Sequence, residues 1–479
     1  MSRYVKQGFS SGQSEDDVLG WPNSCLYSDW IDLNQNSNYI QLKNKPEEAV
    51  DTWSEIPRNL LALSSYSIAV TDRVLIFNDA DVFRTWTVWA VDNNGWEVAN
   101  FAIWETLYLV KDNWIGNAYT LYSIPVDDAL QDSSWTTSLV TTVWTLSIKN
   151  NYEWTWATIL WDIAYIWFED KVCRFEPTSA NTVTEFDIFG DAIAWVTYTW
   201  GYFRVYTKTG KLMLWDWNST TISESIDLKM PLATIHQIWN IDYVYAWIAW
   251  TNIWMYYMSW YTLTPLFKKT YSRQLSLNKY KFDYDWITPV DNYNGNVYWV
   301  AEDWDWPAIY EFWSYINWLS NAYSLLGRKS SYWLDYDVIR AVAVQWDYLY
   351  YGFYDLTNRG VDKVYIGHWS DYRVAEWTII TNVNPLDNWL YKKTAKYIYF
   401  KVSDIDADRT IEVQISIDWG VYSSLWTVNN QPLDNIARLP IQWDLRDFSL
   451  KFILATTLTT STSPKLYYWY AFDYELHDI

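Results

Sequence analysis

The chain has 479 residues, a formal net charge of −22 and a sequence pI near 4.5. This acidic balance argues against nucleic-acid binding through a general electrostatic mechanism, which needs a basic surface, and against anionic membrane surfaces. No run of 18 apolar residues occurs, so we expect no membrane-inserted helix, and residues 1–14 show no apolar secretory signal. The length suffices for two or three domains with their own cores.

The first segment, residues 1–58, is rich in Ser, Asn, Gln and Asp. Such a composition buries little apolar surface, and it predicts a polar N-terminal arm or a small appended unit. One short helix is expected over residues 46–63, where two glutamates and an alanine follow Pro46.

Residues 59–388 repeat a short unit in which a turn residue precedes an aromatic-rich strand. Six clear copies begin at positions 104, 161, 200, 239, 295 and 346, separated by 57, 39, 39, 56 and 51 residues. Blades of a β-propeller recur at about 40–50 residues, and several copies are followed by a second strand-like run. We therefore expect an all-β fold with a β-propeller of about seven blades.

Residues 389–479 show longer, alternating strands. Phe448, Leu450, Phe452 and Leu454 alternate with Ser449, Lys451 and Ile453, and residues 396–402 and 410–417 form similar runs. This pattern predicts a separate C-terminal antiparallel β-sandwich.

Tryptophan is in excess, and glycine is scarce. The sequence contains 38 Trp and only 14 Gly, whereas an average composition would supply roughly 34 Gly. Nine tryptophans follow Asp or Asn directly, where tight turns favour glycine with positive φ: Trp30, Trp114, Trp217, Trp286, Trp304, Trp306, Trp318, Trp389 and Trp419.

A left-handed backbone at a bulky residue costs roughly 1–2 kcal/mol per residue. Our hypothesis is that many of these tryptophans are glycines encoded by UGA in the authentic protein. Gly295 stands where the other copies of the repeat have Trp, and Asp418-Trp419-Gly420 would be an Asp-Gly-Gly turn. Trp215 and Trp299 lie inside strand-like runs and are predicted to be true core tryptophans. The alternative is a Trp-rich surface that stacks on sugars.

Catalytic and metal motifs are absent from the sequence. The histidines His236, His368 and His477 are widely separated, and no nucleophile elbow, HExxH pair or P-loop occurs. Cys25 and Cys173 have no metal-ligand spacing. We therefore predict no catalytic residue and no cofactor.

Two acidic runs are the only weak metal candidates. They comprise Asp303 with Asp305, and Asp404 with Asp406 and Asp408. The second run fails as an EF-hand, because its sixth residue is Arg409 and Glu412 falls at the ninth position instead of the twelfth. Ordinary acidic turns are the favoured interpretation of both.

The stretches 448–454 and 463–476 resemble the closing strands of virion structural proteins from tailed bacteriophages, where a last "SP-x-L" strand completes a β-sandwich. The resemblance implies a non-enzymatic tail or neck protein located in the virion. Its partners would be other virion proteins, further copies of itself and a host-surface glycan, with no nucleic acid and no membrane insertion. The alternatives are a carbohydrate-binding surface propeller and a glycan-degrading tail enzyme that uses two carboxylates.

Overall fold

The structure is a computed structural model, and all of its regular elements among the described residues are β-strands. The described residues are 2–7, 27–28, 31–32, 39–42, 47–51, 59–62, 67–70, 74–77, 83–86, 97–113, 118–125, 141–147, 156–168, 170–177, 181–199, 201–217, 219–228, 232–238, 241–248, 252–259, 261–267, 275–276, 290–293, 296–303, 306–315, 320–328, 338–354, 359–367, 376–381, 393–418, 420–445, 447–457 and 463–476. Their strands are rich in Val, Ile, Thr, Tyr and Phe, which suit a pleated, half-buried surface.

Five short strands are seen in the described part of the chain before residue 59. They are β1 (Ser2–Gln7), β2 (Tyr27–Ser28), β3 (Ile31–Asp32), β4 (Tyr39–Leu42) and β5 (Glu47–Asp51). The helix predicted over residues 46–63 is wrong, because β5 occupies its start. A helix-friendly local run is overridden here by sheet pairing, since β5 adds to the edge of a sheet formed much later in the chain.

Antiparallel sheets then follow one another along the chain, and seven are seen within the described part of residues 47–365. In chain order, the first contains β6 (Asn59–Ala62), β7 (Ser67–Val70), β8 (Val74–Phe77) and β9 (Phe83–Trp86); the second β10 (Glu97–Ile103), β11 (Thr106–Asn113), β12 (Ala118–Pro125) and β13 (Thr141–Ser147); the third β14 (Trp156–Leu160), β15 (Ile163–Phe168), β16 (Lys171–Glu176) and β17 (Thr182–Phe186); the fourth β18 (Ile193–Thr199), β19 (Tyr202–Thr207), β20 (Lys211–Trp215) and β21 (Ile222–Asp227); the fifth β22 (Leu232–Ile238), β23 (Ile241–Ile248), β24 (Asn252–Ser259) and β25 (Thr262–Phe267); the sixth β26 (Leu275–Ser276), β27 (Val290–Tyr293), β28 (Asn296–Asp303), β29 (Trp306–Tyr315) and β30 (Ser320–Arg328); and the seventh β31 (Val338–Gln345), β32 (Tyr348–Tyr354) and β33 (Arg359–Tyr365) together with β5. Repeated four-stranded antiparallel sheets are the organisation of propeller blades.

The seventh sheet takes its outer strand from the beginning of the chain. Val50 of β5 pairs with Val361 of β33. Ala49 packs in a buried cluster with Leu60 of the first sheet and with Ala343, Tyr350 and Val361 of the seventh. A strand that precedes the first sheet therefore completes the last one.

Two further sheets contain the C-terminal strands β34 (Glu376–Ile380), β35 (Lys393–Ser403), β36 (Arg409–Ile417), β37 (Ser423–Val428), β38 (Ile436–Leu445), β39 (Phe448–Thr456) and β40 (Lys465–Leu476). The β40 sheet has the order β3-β4-β40-β35-β38, and β1 also pairs with β40. The β39 sheet has the order β2-β34-β39-β36-β37. The segment 1–58 thus supplies strands to both of these sheets, as well as to the seventh.

The alternation in the C-terminal strands places one side of each strand in a core. Phe448, Leu450, Phe452 and Leu454 of β39 are fully buried. Phe452 meets Phe400 of β35 with ring centroids 5.5 Å apart, so the β39 and β40 sheets share this core.

Each repeat identified in the sequence is a two-residue hairpin followed by the second strand of a sheet. Ile103 pairs with Thr106, Leu160 with Ile163, Thr199 with Tyr202, Ile238 with Ile241 and Gln345 with Tyr348. The repeat's tryptophan is therefore the first residue between the paired strand ends.

Gly295 does not occupy the position of these tryptophans in the turn, in contrast to the prediction from the repeat, but lies one residue later. Tyr293 pairs with Asn296, so the first residue between them is Asn294 and Gly295 is the second. Gly295 itself lies outside the described residues. Its equivalent in the fourth sheet is Gly201, which has a φ of 91°.

Candidate functional site

Three tryptophans occupy the first position of the sheet hairpins and are called the tip tryptophans here. Trp104, Trp161 and Trp346 have φ angles of 53°, 50° and 54°. Their exposed fractions are 75%, 70% and 67%. The equivalent positions Trp200 and Trp239 lie outside the described residues. Each of these positions lies in the hairpin between the first and second strands of its sheet. The tips therefore lie at the same end of each sheet.

Neighbouring tips are in contact. The indole Nε1 of Trp104 donates a hydrogen bond to the carboxylate of Asp162, in the tip of the next sheet. The ring of Trp161 meets that of Tyr198, in the sheet after it, edge to face at 5.7 Å between centroids. Exposed aromatic rings of this kind can stack on the apolar face of a sugar or pack against a partner protein.

Interior tryptophans have a different environment. Trp215 is fully buried, and its Nε1 donates to the Ser219 carbonyl oxygen at 2.9 Å. It packs in a cluster with Tyr165 and Phe203 of two adjacent sheets. The prediction that Trp215 is a core residue is confirmed. Trp299 lies in β28, and its side chain is outside the described set.

Of the nine tryptophans that follow Asp or Asn, the structure describes two. Trp217 is partly buried with the Arg174 guanidinium 5.0 Å from its ring centroid, and it has no positive φ. Trp306 is the first residue of β29. The other seven, Trp30, Trp114, Trp286, Trp304, Trp318, Trp389 and Trp419, lie outside the described residues. Among the described residues, the tryptophans with positive φ are therefore those at the start of a repeat, and none of them follows Asp or Asn.

A fully buried carboxylate links the fourth and fifth sheets. Asp242 of β23 accepts hydrogen bonds from Thr197 Oγ1 at 3.0 Å, Arg204 Nη1 at 3.1 Å and Gln237 Nε2 at 2.9 Å, and also from the Tyr206 hydroxyl. Thr197, Arg204 and Tyr206 belong to the fourth sheet, whereas Asp242 and Gln237 belong to the fifth.

The electrostatics of this cluster favour a structural role, in which it holds the fourth and fifth sheets together. Burial and the nearby Asp242 charge raise the pKa of Tyr206 well above its usual value. For Arg204, burial acts to lower the pKa, but Asp242 outweighs it and the pKa is raised. Tyr206 therefore stays neutral and Arg204 stays charged near neutral pH. The Asp242 side chain is fully buried.

The signal for Asp242 in the sequence is its position in the repeat, which no catalytic or metal motif includes. Three positions after the tip residue, the other sheets have Leu107, Ala164, Phe203 and Leu349, all fully buried. Asp242 occupies this apolar position, and a carboxylate there needs charged and polar partners. Comparing the repeats position by position would have identified it.

The acidic run at 404–408 is neutralised within its own loop and by neighbouring strands. Asp404 accepts from Lys465 Nζ at 2.8 Å. The side chain of Asp406 pairs with Arg409, whose Nε lies at 2.9 Å, and Thr457 Oγ1 donates to Asp408 at 2.7 Å. The Arg409 hydrogen bond is the main reason that the pKa of Asp406 falls below its ordinary value.

Most of the other residues singled out in the sequence lie outside the described residues. Asp303 ends β28, and Asp305 lies outside the described residues. Within the described ranges no group of three or more His, Cys, Asp or Glu could hold a metal ion. His236 is in β22, whereas His368, His477 and Cys25 are outside the described part. Cys173 is a buried free thiol whose pKa is raised by burial.

No helix of the described part of the chain has the length and apolarity needed to span a membrane.

Comparisons with known proteins give fold likeness only. No family model matches the chain, and no curated protein matches it. Among solved structures, it is similar to the WD40 β-propeller domain of Doa1 (11% identity, 67% of this chain and 97% of that one, TM-score 0.43). It is also similar to the AfRom2 CNH domain (11%, 68% and 100%, TM-score 0.41) and to the computationally designed Ika8 protein (11%, 67% and 100%, TM-score 0.39). Likenesses at this level carry no argument about function.

Proposed function

We propose that the chain is a non-enzymatic structural protein of a tailed-bacteriophage particle, of the tail or neck type. In this proposal residues 47–365 form a seven-bladed β-propeller closed by β5, and the β39 and β40 sheets form a β-sandwich. The protein acts through assembly with other virion proteins and with further copies of itself, and through recognition of a host-surface glycan.

The observation that carries the proposal is the position of β40. This strand contains the segment whose sequence resembles the closing strands of phage structural proteins. It pairs with β35 along one edge and with β1 and β4 along the other. A closing strand at the centre of its sheet supports the resemblance, because the whole sheet depends on it.

Pairing between segments that are far apart in the chain favours a rigid structural role. β1 pairs with β40 over six residue pairs, and β5 completes the seventh sheet. Separating these segments requires several backbone hydrogen bonds to break together. In this role the propeller is a rigid body that presents its loops, and the sandwich docks into the particle.

The proposal also places the gene in a genetic system that reads UGA as glycine. The excess of tryptophan over glycine supports this part, since a phage uses the code of its host.

The virion assignment is tested in particles purified from the native source by density gradient. Peptides of this chain should sediment with the major capsid protein in a fixed ratio. Their presence only in the particle-free cell fraction would overturn the assignment. A particle-free lysate from uninfected cells is the control.

A carbohydrate-binding propeller is the second candidate, and the exposed tip tryptophans favour it. If these rings bind sugar, the chain should be retarded by host polysaccharide in affinity electrophoresis. The triple variant W104A/W161A/W346A should lose the retardation. An unchanged mobility for both proteins contradicts this candidate.

A glycan-degrading enzyme is the remaining alternative to a non-enzymatic role. Its signature is release of reducing sugar from host glycans by the purified chain. Such release would contradict the non-enzymatic proposal and direct the search to a carboxylate pair.

A further inference from the structure

We infer that positions 104, 161 and 346 are glycine in the protein as its native source makes it, encoded by UGA, whereas positions 167 and 215 are true tryptophans encoded by UGG. This inference deepens the recoding part of the proposed function by naming positions. It rests on backbone conformation and burial, and it is independent of the virion role.

The first observation is which residues have a left-handed backbone. Eight non-glycine residues have positive φ among those the structure describes. Five of them are Asp or Asn, the residues whose short polar side chains tolerate this region: Asp162, Asn181, Asp404, Asp418 and Asn435. The other three are the tip tryptophans. Tyrosine is more abundant than tryptophan, 41 against 38, yet no tyrosine is among the eight.

The second observation is the position of the three tryptophans within their turns. Each is the first of two residues that join paired strands. Two-residue hairpins use type I′ or type II′ turns, and both types require positive φ at this first position. At Trp161 the next residue, Asp162, also has positive φ, as type I′ requires. Gly followed by Asp is a preferred sequence for such turns.

The third observation is that burial does not compensate for the strained backbone. The tip tryptophans are at least two-thirds exposed, so little of the hydrophobic gain of an indole is realised there. Trp215 and Trp167 have exposed fractions of 0% and 3%, and neither has positive φ. Conformation and burial therefore separate the same residue type into two classes.

The two contacts of the tips do not require an indole. The Trp104 indole donates to Asp162, which is exposed and can hydrogen-bond to water instead. The Trp161–Tyr198 ring contact involves an exposed indole. Glycine at the tips would remove an exposed ring and a Cβ from a backbone with positive φ.

The direct test is the mass of proteolytic peptides of this chain isolated from its native source. Peptides that contain positions 104, 161 and 346 should each be lighter than the tryptophan form by the difference between an indolylmethyl group and a hydrogen. The peptide with position 215 should have the tryptophan mass. Tryptophan at the three tip positions would overturn the inference, as would glycine at 215.

A second test uses the chain produced with tryptophan at all 38 positions in a host that reads UGG as tryptophan. Trp161→Gly removes both the ring and the Cβ, whereas Trp161→Ala removes the ring and keeps a side chain at positive φ. We expect the glycine variant to melt about 1–4 °C above the alanine variant. Equal melting, or a lower value for glycine, would contradict a glycine requirement at the tip.

The matched control for this series is Trp215→Gly against Trp215→Ala, where φ is not positive. Here glycine should be the less stable variant, because it adds chain entropy to the unfolded state.

The outcomes of these experiments also distinguish this inference from the proposed virion role. Glycine at the tips in a protein found outside particles sinks the virion role alone, and tryptophan at the tips in a protein found within particles sinks this inference alone.

Discussion

The hairpin tips and the sheet interiors use the same residue type under opposite physical conditions. At the tips, Trp104, Trp161 and Trp346 combine a left-handed backbone with exposed rings. In the interior, Trp215 combines an ordinary backbone with full burial and a satisfied indole N–H. The difference teaches that a tryptophan is informative about function only after its conformation and burial are known. The following predictions begin on the interior side of this comparison and end at an exposed loop, from the largest expected effect to the smallest.

Trp215→Ala should be the most damaging change on the interior side. It empties a site between the third and fourth sheets and removes contacts with Tyr165, Phe186 and Phe203. We expect a loss of about 3–5 kcal/mol in the free energy of unfolding, measured by urea denaturation.

Trp215→Phe is the control, since it keeps an aromatic ring and loses the bond to Ser219. It should cost much less than the alanine variant. Equal stability of Trp215→Ala and the parent chain would break the comparison, because the interior tryptophan would then contribute no more to the free energy of unfolding than an exposed tip tryptophan.

Asp242→Ala should have the next largest effect. It leaves the largely buried Arg204 guanidinium without its carboxylate and removes the acceptor of Thr197, Tyr206 and Gln237. Removing one partner of a buried ion pair costs about 3–5 kcal/mol.

Asp242→Asn removes the charge and replaces one acceptor oxygen by an NH2 donor, but it keeps the other oxygen as an acceptor and nearly the same side-chain volume. It should therefore unfold between the parent and the alanine variant. The measurement is again the urea midpoint. An alanine variant as stable as the parent chain would show that the charge and hydrogen bonds at 242 do not stabilise the contact between the two sheets.

Ala49→Asp tests whether β5 belongs to the interior of the seventh sheet. The new carboxylate would enter the apolar cluster of Leu60, Tyr350 and Val361. Because β5 is an edge strand, the carboxylate can move partly toward water, and we expect a loss of about 2–3 kcal/mol. Ala49→Ser, small and uncharged, is the control. Protection of β5 amides from hydrogen exchange should fall in the Asp variant, and unchanged protection would contradict the assignment.

The smallest expected effect concerns the exposed loop at Asp406. Its pKa is held below the ordinary value of 3.8, chiefly by the Arg409 hydrogen bond. A carboxylate with a lowered pKa stabilises the fold above its unfolded pKa, and this contribution disappears as the pH falls through the lowered value.

Arg409→Gln should therefore move the Asp406 pKa back toward 3.8 and flatten the dependence of stability on pH below about pH 4. Carboxyl chemical shifts followed by NMR give the pKa directly, and Lys451→Gln, a change on a neighbouring strand, is a control. An Asp406 pKa that does not move would show that Arg409 is not its main partner.

Much of the architecture was accessible from local pattern. The alternation at 448–454 predicted a strand with Phe448, Leu450, Phe452 and Leu454 on the buried side, and all four are buried. Residues 161 and 346 are predicted from the sequence as the starts of repeats, and each is the first residue of the two-residue turn that precedes the second strand of its sheet. These features depend on residues a few positions apart, which sequence displays directly.

Long-range pairing was not accessible in the same way. Residues 47–51 favour a helix by composition, yet they form β5 because β33, more than 300 residues later, offers an unpaired edge. The register of Gly295 also needed the Tyr293–Asn296 pair, since a one-residue shift leaves the sequence pattern nearly unchanged.

By itself, the sequence determined an acidic, strand-rich chain with repeated hairpin units, alternating C-terminal strands and an anomalous ratio of tryptophan to glycine. The tertiary structure decided that Asp242 is held between two sheets, that β1 and β5 join sheets formed near the other end of the chain, and which tryptophans are strained and exposed. The physical reason is that composition and period are local properties, whereas burial, φ at a turn and the partner of an edge strand are set by contacts between distant residues.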